Sequence, residues 1–324
     1  MFMVYHGGAK ENEKGLLDFS YSVNPYKVPF MRDLLKVDFN SYPYCDSLEN
    51  KIKERLKISQ EVVIGAGITE LLYMVSYALR KKDAMFMAHT YGEYERMADI
   101  FNMRKHYVES IDPDLTSFDI KNGIIFFANP NNPTGKFYHD IEILFETAEK
   151  YNSFIVLDEA FIDFVDYDNV NYPENVIVLR SFTKSFGLPG IRAGYAFGNE
   201  NVIKKMKEFR MPWSLGSLGC KFIELALKNY YYLKNSIKKI SQERKRIENI
   251  TGLKTDANFF LADAGFKGLN EILKKSGILV RDCSSFGLPN AIRFSIKKKR
   301  ENDILLKEIE KFHLKPLEGI VYEV

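Results

Sequence analysis

The sequence has 324 residues, 46% of them hydrophobic and 27% charged, and its net charge is +3. That length is too great for one small core and suits a large domain plus a small one, and so slight a charge imbalance excludes a strong electrostatic partner such as nucleic acid. No apolar run approaches the roughly 20 residues of a membrane span, and residues 1–14 lack the long apolar stretch of a signal peptide.

In chain order, residues 1–40 read as an irregular arm that wraps over another part of the fold or over a partner subunit. His6-Gly7-Gly8, Asp18-Phe19-Ser20 and Asn24-Pro25 mark it out, with turn signals in the glycine pair and the Asn-Pro step. Tyr42-Pro43 ends the arm, and Leu48, Ile52 and Leu56 then recur at helical spacing, which predicts a helix over 47–56. Val62-Val63-Ile64 is a β-branched run, and Gly65-Ala66-Gly67-Ile68-Thr69-Glu70 leads from it into an apolar helix over 71–79. A strand, a glycine turn and a helix N-terminus make an anion site, because free N–H groups and the helix dipole face the ligand; a plain helix cap has the same pattern.

A strand over 84–88 runs into His89-Thr90-Tyr91-Gly92, where Tyr91 either packs in a cleft or stacks on a flat heteroaromatic ring. An apolar strand over 123–128 ends in Asn129-Pro130-Asn131-Asn132-Pro133-Thr134-Gly135. Turn chemistry needs only one or two of these residues. A side-chain amide held rigidly at a strand tip suits a hydrogen bond to a phenolate, and Asn132 is the candidate. After an amphipathic helix over 140–151, a strand over 154–157 ends in Asp158-Glu159-Ala160-Phe161. An acid directly after a buried strand is costly without a partner, and a pyridinium nitrogen is one that would offset the desolvation. The strand–helix alternation gives an α/β fold with a mostly parallel sheet. Asp158, Asn132, Tyr91 and Lys184 then fall at or just beyond strand carboxyl ends, where open α/β sheets bind ligands.

A buried strand over 176–179 leads into Ser181-Phe182-Thr183-Lys184-Ser185-Phe186-Gly187-Leu188-Pro189-Gly190-Ile191-Arg192. Hydroxyls and an arginine supply donors to phosphate oxygens, a lysine supplies an amine that can condense with an aldehyde, and glycines allow close backbone approach. A strand over 193–197 and a basic helix follow, then a break at Met211-Pro212-Trp213-Ser214 and long helices over about 216–233 and 235–249. The second is heavily charged and reads as a solvent-facing connector. The remainder alternates strands over 258–261, 278–280 and 291–296 with helices over 269–275 and 302–311. The expected layout is an arm over 1–40 joining the small domain, a large domain over 41–215, and connecting helices with a smaller α/β domain over 216–324. Arg281 and Arg293 each end or interrupt an apolar run, so each faces solvent or clamps an anion. Lys297-Lys298-Lys299-Arg300 reads as a solvated turn. Cys45, Cys220 and Cys283 are odd in number and widely spaced, so neither a disulfide framework nor a zinc site is expected, and reduced thiols suit a cytoplasmic protein.

The segments Asn129–Gly135, Asp158–Phe161 and Ser181–Arg192 resemble those of the pyridoxal-phosphate enzymes of fold type I, the class I/II aminotransferase superfamily. The resemblance covers nearly the whole chain. It implies that Lys184 joins the aldehyde of pyridoxal phosphate and serves as general acid/base. Asp158 would keep the pyridine nitrogen protonated, with Tyr91 on the ring. Gly67, Ile68, Thr69, Ser181, Thr183 and Arg192 would hold the cofactor phosphate, and Asn132 the phenolate. Arg293 would clamp a substrate carboxylate and Arg281 would join it in binding substrate, while His6 and Asn24 would take a substrate phosphate. Tyr42 would reach the cofactor phosphate of a partner subunit in a homodimer. Two branches of the superfamily fit, both acting on phosphorylated amines. His6-Gly7-Gly8, Asp18-Phe19-Ser20 with Asn24-Pro25, Pro189, Pro212-Trp213-Ser214 and Val280-Arg281-Asp282-Cys283 look like threonine-phosphate decarboxylases of cobalamin synthesis, the branch expected first. Histidinol-phosphate aminotransferases are similar throughout, but usually have an Asn-Glu-Asn-Pro opening and a Tyr where this chain has Phe161. His89 stands where a proline is usual, and Ile68 where a small or polar residue is.

Overall fold

The computed structural model describes residues 7–13, 15–109, 120–167 and 170–320. The elements run β1 Leu17–Asp18, α1 Met31–Leu34, α2 Asp46–Leu56, β2 Glu61–Gly65, α3 Ile68–Leu79, β3 Asp83–Met87, α4 Gly92–Ile100, β4 Arg104–Val108, β5 Ile124–Ala128, α5 Glu142–Lys150, β6 Phe154–Asp158, β7 Val176–Ser181, α6 Phe182–Ser185, β8 Gly194–Gly198, α7 Glu200–Phe209, α8 Ser217–Lys228, α9 Tyr231–Thr251, β9 Phe259–Asp263, α10 Leu269–Lys275, β10 Ile278–Leu279, β11 Arg281–Asp282, β12 Ala291–Ser295 and α11 Lys299–Ile309. A seven-stranded sheet has the order β2-β8-β7-β6-β5-β3-β4. Strand β8 lies antiparallel to both neighbours, and the remaining pairs are parallel. The expected α/β fold, with a mostly parallel sheet between helices, is therefore the one observed.

Alternation along the strands builds two cores. Val62, Ile64, Ile125, Phe127, Ile155, Leu157, Val176 and Val178 face one layer with α2, α5 and α8. Val63, Ile124, Phe126, Val156, Ile177 and Leu179 face the other with α3, α4 and α7. Strands covered on both faces read as continuous apolar runs, and each large side chain withdrawn from water contributes about 1.5–3 kcal/mol. Helix α8 lies beyond the boundary expected at 216, yet buries Phe222, Ile223 and Ala226 in the large-sheet core. Helix α9 is a connector that also packs: Leu233, Ile240 and Ile247 are buried along one stripe of an otherwise charged surface.

The second layer is a three-stranded sheet in the order β11-β12-β9, beneath which Ile240, Ile247, Phe260, Phe294 and Leu305 form a separate core. Beside it the arm forms a separate two-stranded sheet, in which β1 pairs in parallel with β10. One expectation about cysteine is corrected: Cys45 and Cys220 form a disulfide, with Cα atoms 5.8 Å apart, and Cys283 alone is free and buried. The pairing arises because α2 and α8 pack side by side, a proximity that a spacing of 175 residues does not encode. No helix among the described residues is long and apolar enough to cross a membrane, and no cluster of possible metal ligands occurs among them.

Candidate active site

Strand register assembles a site at the carboxyl ends of the parallel strands. Gly65 at the end of β2 pairs with Gly194 of β8, which pairs in turn with Ser181 at the end of β7. The antiparallel strand thus carries the glycine turn and the lysine turn, 116 residues apart between Gly65 and Ser181, to adjacent places. On the next two strands, Asp158 at the end of β6 pairs with Ala128 of β5, the residue before the Asn-Pro turn. A cavity of about 340 Å³ opens over this row. Its described lining includes Ile68, Thr69, Tyr91, Asn132, Asp158, Phe161, Ser181, Thr183, Lys184 and Arg192 from the large sheet, and Arg281, Ser285, Phe286 and Arg293 from the small one. Gly7, Ser20, Tyr21 and Ser22 of the arm close it.

The end beside α3 is built for an anion. Gly67 caps the helix with φ of +85°, and the helix has no side-chain cap, so its first N–H groups stay available. A Cβ on Gly67 would sit 2.5 Å from Arg192 Nη2, so only glycine lets the guanidinium lie across the helix start. The Ser181 and Thr183 hydroxyls face each other at 2.7 Å beside it. This donor set and glycine cradle fit a phosphate ester.

Asp158 is 5% exposed; its Oδ2 accepts a hydrogen bond from the Tyr94 hydroxyl at 2.7 Å and its Oδ1 one from the Ala160 N–H at 2.9 Å. Burial pushes its pKa up to about 6, against the pull of the Tyr94 and Ala160 bonds. Tyr94, which the sequence did not single out, is fixed by stacking on Phe126 and by an edge contact with Tyr91. Lys184 lies in the short turn after β7, with Nζ 5.5 Å from the Phe161 ring centre. Burial lowers its pKa to about 8, helped by the Arg293 and Arg192 charges and opposed by Asp158. Burial likewise pushes Tyr91 up to about 12, so its phenol stays neutral.

The asparagines of the 129–135 turn divide their work. Asn129 exchanges hydrogen bonds with the Tyr138 backbone, and Asn131 bonds the His89 carbonyl and Thr134, while Asn132 lines the cavity and accepts from Arg293 Nη1. Arg293 is 6% exposed, donates from Nη2 to the Ser20 carbonyl at 3.1 Å, and keeps Nε without a partner. Burial brings its pKa down to about 10. Arg281 donates from Nη2 to Ser285 Oγ at 2.8 Å. Ser22 Oγ, buried and unpartnered, also lines the cavity.

Two expected site residues, Asn24 and Tyr42, stand elsewhere. Asn24 is buried beneath the lysine turn, where its Nδ2 bonds the Ser185 carbonyl and Ser236 hydroxyl and its Oδ1 takes the Tyr26 N–H. Its amide therefore ties the arm to the lysine turn and to α9, and Asn24 is not among the residues lining the cavity, where a substrate-binding role was expected of it. Tyr42 is 69% exposed and stacked on Trp213 at 4.3 Å, outside the cavity. His6 lies outside the described residues.

Comparison with known proteins agrees with this geometry. The family described as aminotransferase class I and II matches residues 27–309. A histidinol-phosphate aminotransferase of Thermoanaerobacter sp. (strain X514) is 30% identical, over 95% of this chain and 97% of its own. A putative threonine-phosphate decarboxylase of Caldanaerobacter subterraneus subsp. tengcongensis is 28% identical, over 89% of this chain and 88% of its own. Among solved structures, the histidinol-phosphate aminotransferase of Clostridium acetobutylicum superposes with a TM-score of 0.79 at 25% identity, covering 91% of this chain and 98% of that one.

Proposed function

The chain belongs to the class I and II aminotransferase family, and from that premise we propose that it is a pyridoxal-phosphate-dependent aminotransferase of the histidinol-phosphate type, acting on a small amine that carries a phosphate. The relatives named histidinol-phosphate aminotransferase favour the type, and the observation that carries the phosphorylated substrate is the charge of the cavity. Lys184, Arg192, Arg281 and Arg293 line it, against Asp158 as the one acidic side chain in its described lining. A cofactor phosphate at Arg192 would still leave two buried arginines, more positive charge than a lone carboxylate balances.

Bound there, pyridoxal phosphate supplies an aldehyde that condenses with amines and a protonated ring that draws electrons from the bond broken at the substrate Cα. The N–H groups of Ile68 and Thr69 at the start of α3, the hydroxyls of Ser181 and Thr183, and Arg192 would hold the phosphate, with Gly67 leaving room. Tyr91 would cover the ring. Asp158 would receive the ring N–H, its charge form supported by Tyr94. Asn132, whose Oδ1 already takes Arg293, keeps its amide N–H groups for the phenolate oxygen. Phe161 has no hydroxyl to add. Lys184, with a pKa lowered to about 8, is suited to take and return a proton at Cα near neutral pH. Arg281 and Arg293 would orient the substrate through its anionic groups.

The decarboxylase branch, expected first from the sequence, becomes the second reading. The arm favours it: Ser20, Tyr21 and Ser22 line the cavity, beside Gly7 of the His-Gly-Gly opening. A substrate bearing both a carboxylate and a phosphate would use those donors together with the arginines. The test offers histidinol phosphate with an oxo-acid acceptor, and threonine phosphate without one. Acceptor-dependent loss of amine from the first supports the aminotransferase. Carbon dioxide release from the second selects the decarboxylase, and inertness toward both would overturn the phosphorylated-amine reading.

A further inference from the structure

One wall of the cavity is closed by two segments that are remote in sequence. They are the turn at His89-Thr90-Tyr91, before α4, and the 3-10 turn Ser284–Phe286, after β11. They meet at a hydrogen bond: His89 Nδ1 lies 2.8 Å from the Phe286 carbonyl oxygen. A carbonyl only accepts, so Nδ1 carries the proton in this contact. Each side of the bond is tied to the site. Behind His89, its own carbonyl accepts from Asn131 Nδ2 at 2.8 Å, and the Thr90 hydroxyl donates to Asn131 Oδ1 at 2.8 Å, so the turn is braced against the segment that carries Asn132. Beyond Phe286, Ser285 Oγ accepts from Arg281 Nη2 at 2.8 Å, and the Arg281 guanidinium lies 5.2 Å from the Phe286 ring centre. Gly287 follows at φ of +77°, and a Cβ added there would lie 3.5 Å from the imidazole. A chain of contacts therefore runs from the rigid Asn-Pro turn through one imidazole to one guanidinium.

We propose that His89 is a positioning residue for the substrate's anionic group: by holding the Phe286 carbonyl it fixes the 284–286 turn, and through Ser285 and Phe286 it fixes the Arg281 guanidinium. The proposal rests on the reading that the substrate carries a phosphate. Without the latch, the turn keeps its own backbone bonds, from Phe286 N–H to the Cys283 carbonyl and from Leu288 N–H to the same oxygen. Loss of His89 should therefore loosen the guanidinium's placement while leaving the cofactor end of the cavity intact.

The experiment measures calorimetric affinities of the cofactor-loaded enzyme for histidinol phosphate and for histidinol. Their ratio reports the grip on the phosphate alone. His89→Ala should lower that ratio about fivefold, the worth of one hydrogen bond of about 1 kcal/mol, with affinity for histidinol and for the cofactor unchanged. His89→Asn, whose side-chain amide offers an N–H in place of Nδ1, should restore the ratio to within about twofold. A wild-type preference for the phosphorylated amine that survives His89→Ala overturns the latch alone. A wild-type enzyme with no such preference overturns the phosphorylated-substrate reading and the latch with it. A His89→Ala protein that no longer binds cofactor, or a His89→Asn protein no better than His89→Ala, makes the role purely structural and also overturns the proposal.

Discussion

Lys184 and Asp158 share one cavity and are pushed in opposite directions by the same cause. Burial disfavours charge, so it lowers the lysine to about 8 and raises the aspartic acid to about 6. Both shifts have consequences for the cofactor-free protein. The folded state of Asp158 binds a proton that the unfolded chain, at 3.8, has already released. Stability should therefore fall as pH rises from about 4 to about 6, by on the order of 3 kcal/mol at most. Lys184 acts with the opposite sign: the unfolded chain holds a proton up to 10.5 that the folded state loses near 8, so stability should climb across that window. Denaturant titrations of the wild type and Asp158→Asn at several pH values check the first window. An undiminished slope in the variant would assign it to another group. At the level of activity, Lys184→Ala should cost about 10²–10⁴ in kcat, the usual worth of a positioned acid/base. It should also abolish the borohydride-fixed cofactor adduct on the peptide containing residue 184.

The elements show why a site so dispersed in sequence was partly legible. Glycine turns, an acid after an apolar strand and a lysine among hydroxyls are local signals, and the strands that carry them are long enough in apolar residues to be recognised. Direction and register are not local. Nothing in Gly194–Gly198 distinguishes an antiparallel strand from a parallel one, yet its register places Gly65 beside Ser181. Strand β4, Arg104–Val108, was missed because its polar side chains stay exposed at a sheet edge, and α4 went unseen with it, so Tyr94 was too. The helix pair was placed over 216–233 and 235–249, whereas the chain breaks at Asn229–Tyr230, where no glycine or proline announces it. The helix-start cradle offers its own test. Gly67→Ala puts a Cβ 2.5 Å from Arg192 Nη2 at a positive φ, so the guanidinium must move off the anion site. Cofactor affinity should fall at least about tenfold, the loss of a charge-assisted bond of 1.5–3 kcal/mol, measured by fluorescence titration of the cofactor-free protein. Unchanged affinity would remove α3 from the phosphate site.

At the scale of the whole molecule, one face has no partner among the described residues. Tyr42 and Trp213 stack on each other while 69% and 48% exposed, and Tyr44 and Met211, 79% and 66% exposed, lie beside them around a shallow depression that also includes Pro43 and Leu215. Large apolar groups gathered on a surface signal an interface more often than a solvated face. The Cys45–Cys220 disulfide pins the root of this segment to α8, so Tyr42 is carried on a stiff support rather than on a loose arm. A second copy of the chain docked here would cover the aromatic face and could bring Tyr42 to its partner's cofactor phosphate, as the family resemblance implies. Sedimentation velocity should then give twice the chain mass at micromolar concentration. Trp213→Asp should shift the protein toward monomer and weaken cofactor binding in parallel. Tyr42→Phe should leave the mass unchanged yet raise the cofactor Kd about tenfold or more, because only the hydroxyl donor to a charged group is lost. The two variants separate assembly from contact. If Tyr42→Phe binds cofactor as tightly as the wild type, the face remains an assembly surface but each cavity is complete within one chain. If the wild type sediments as a monomer with full cofactor affinity, neither claim stands.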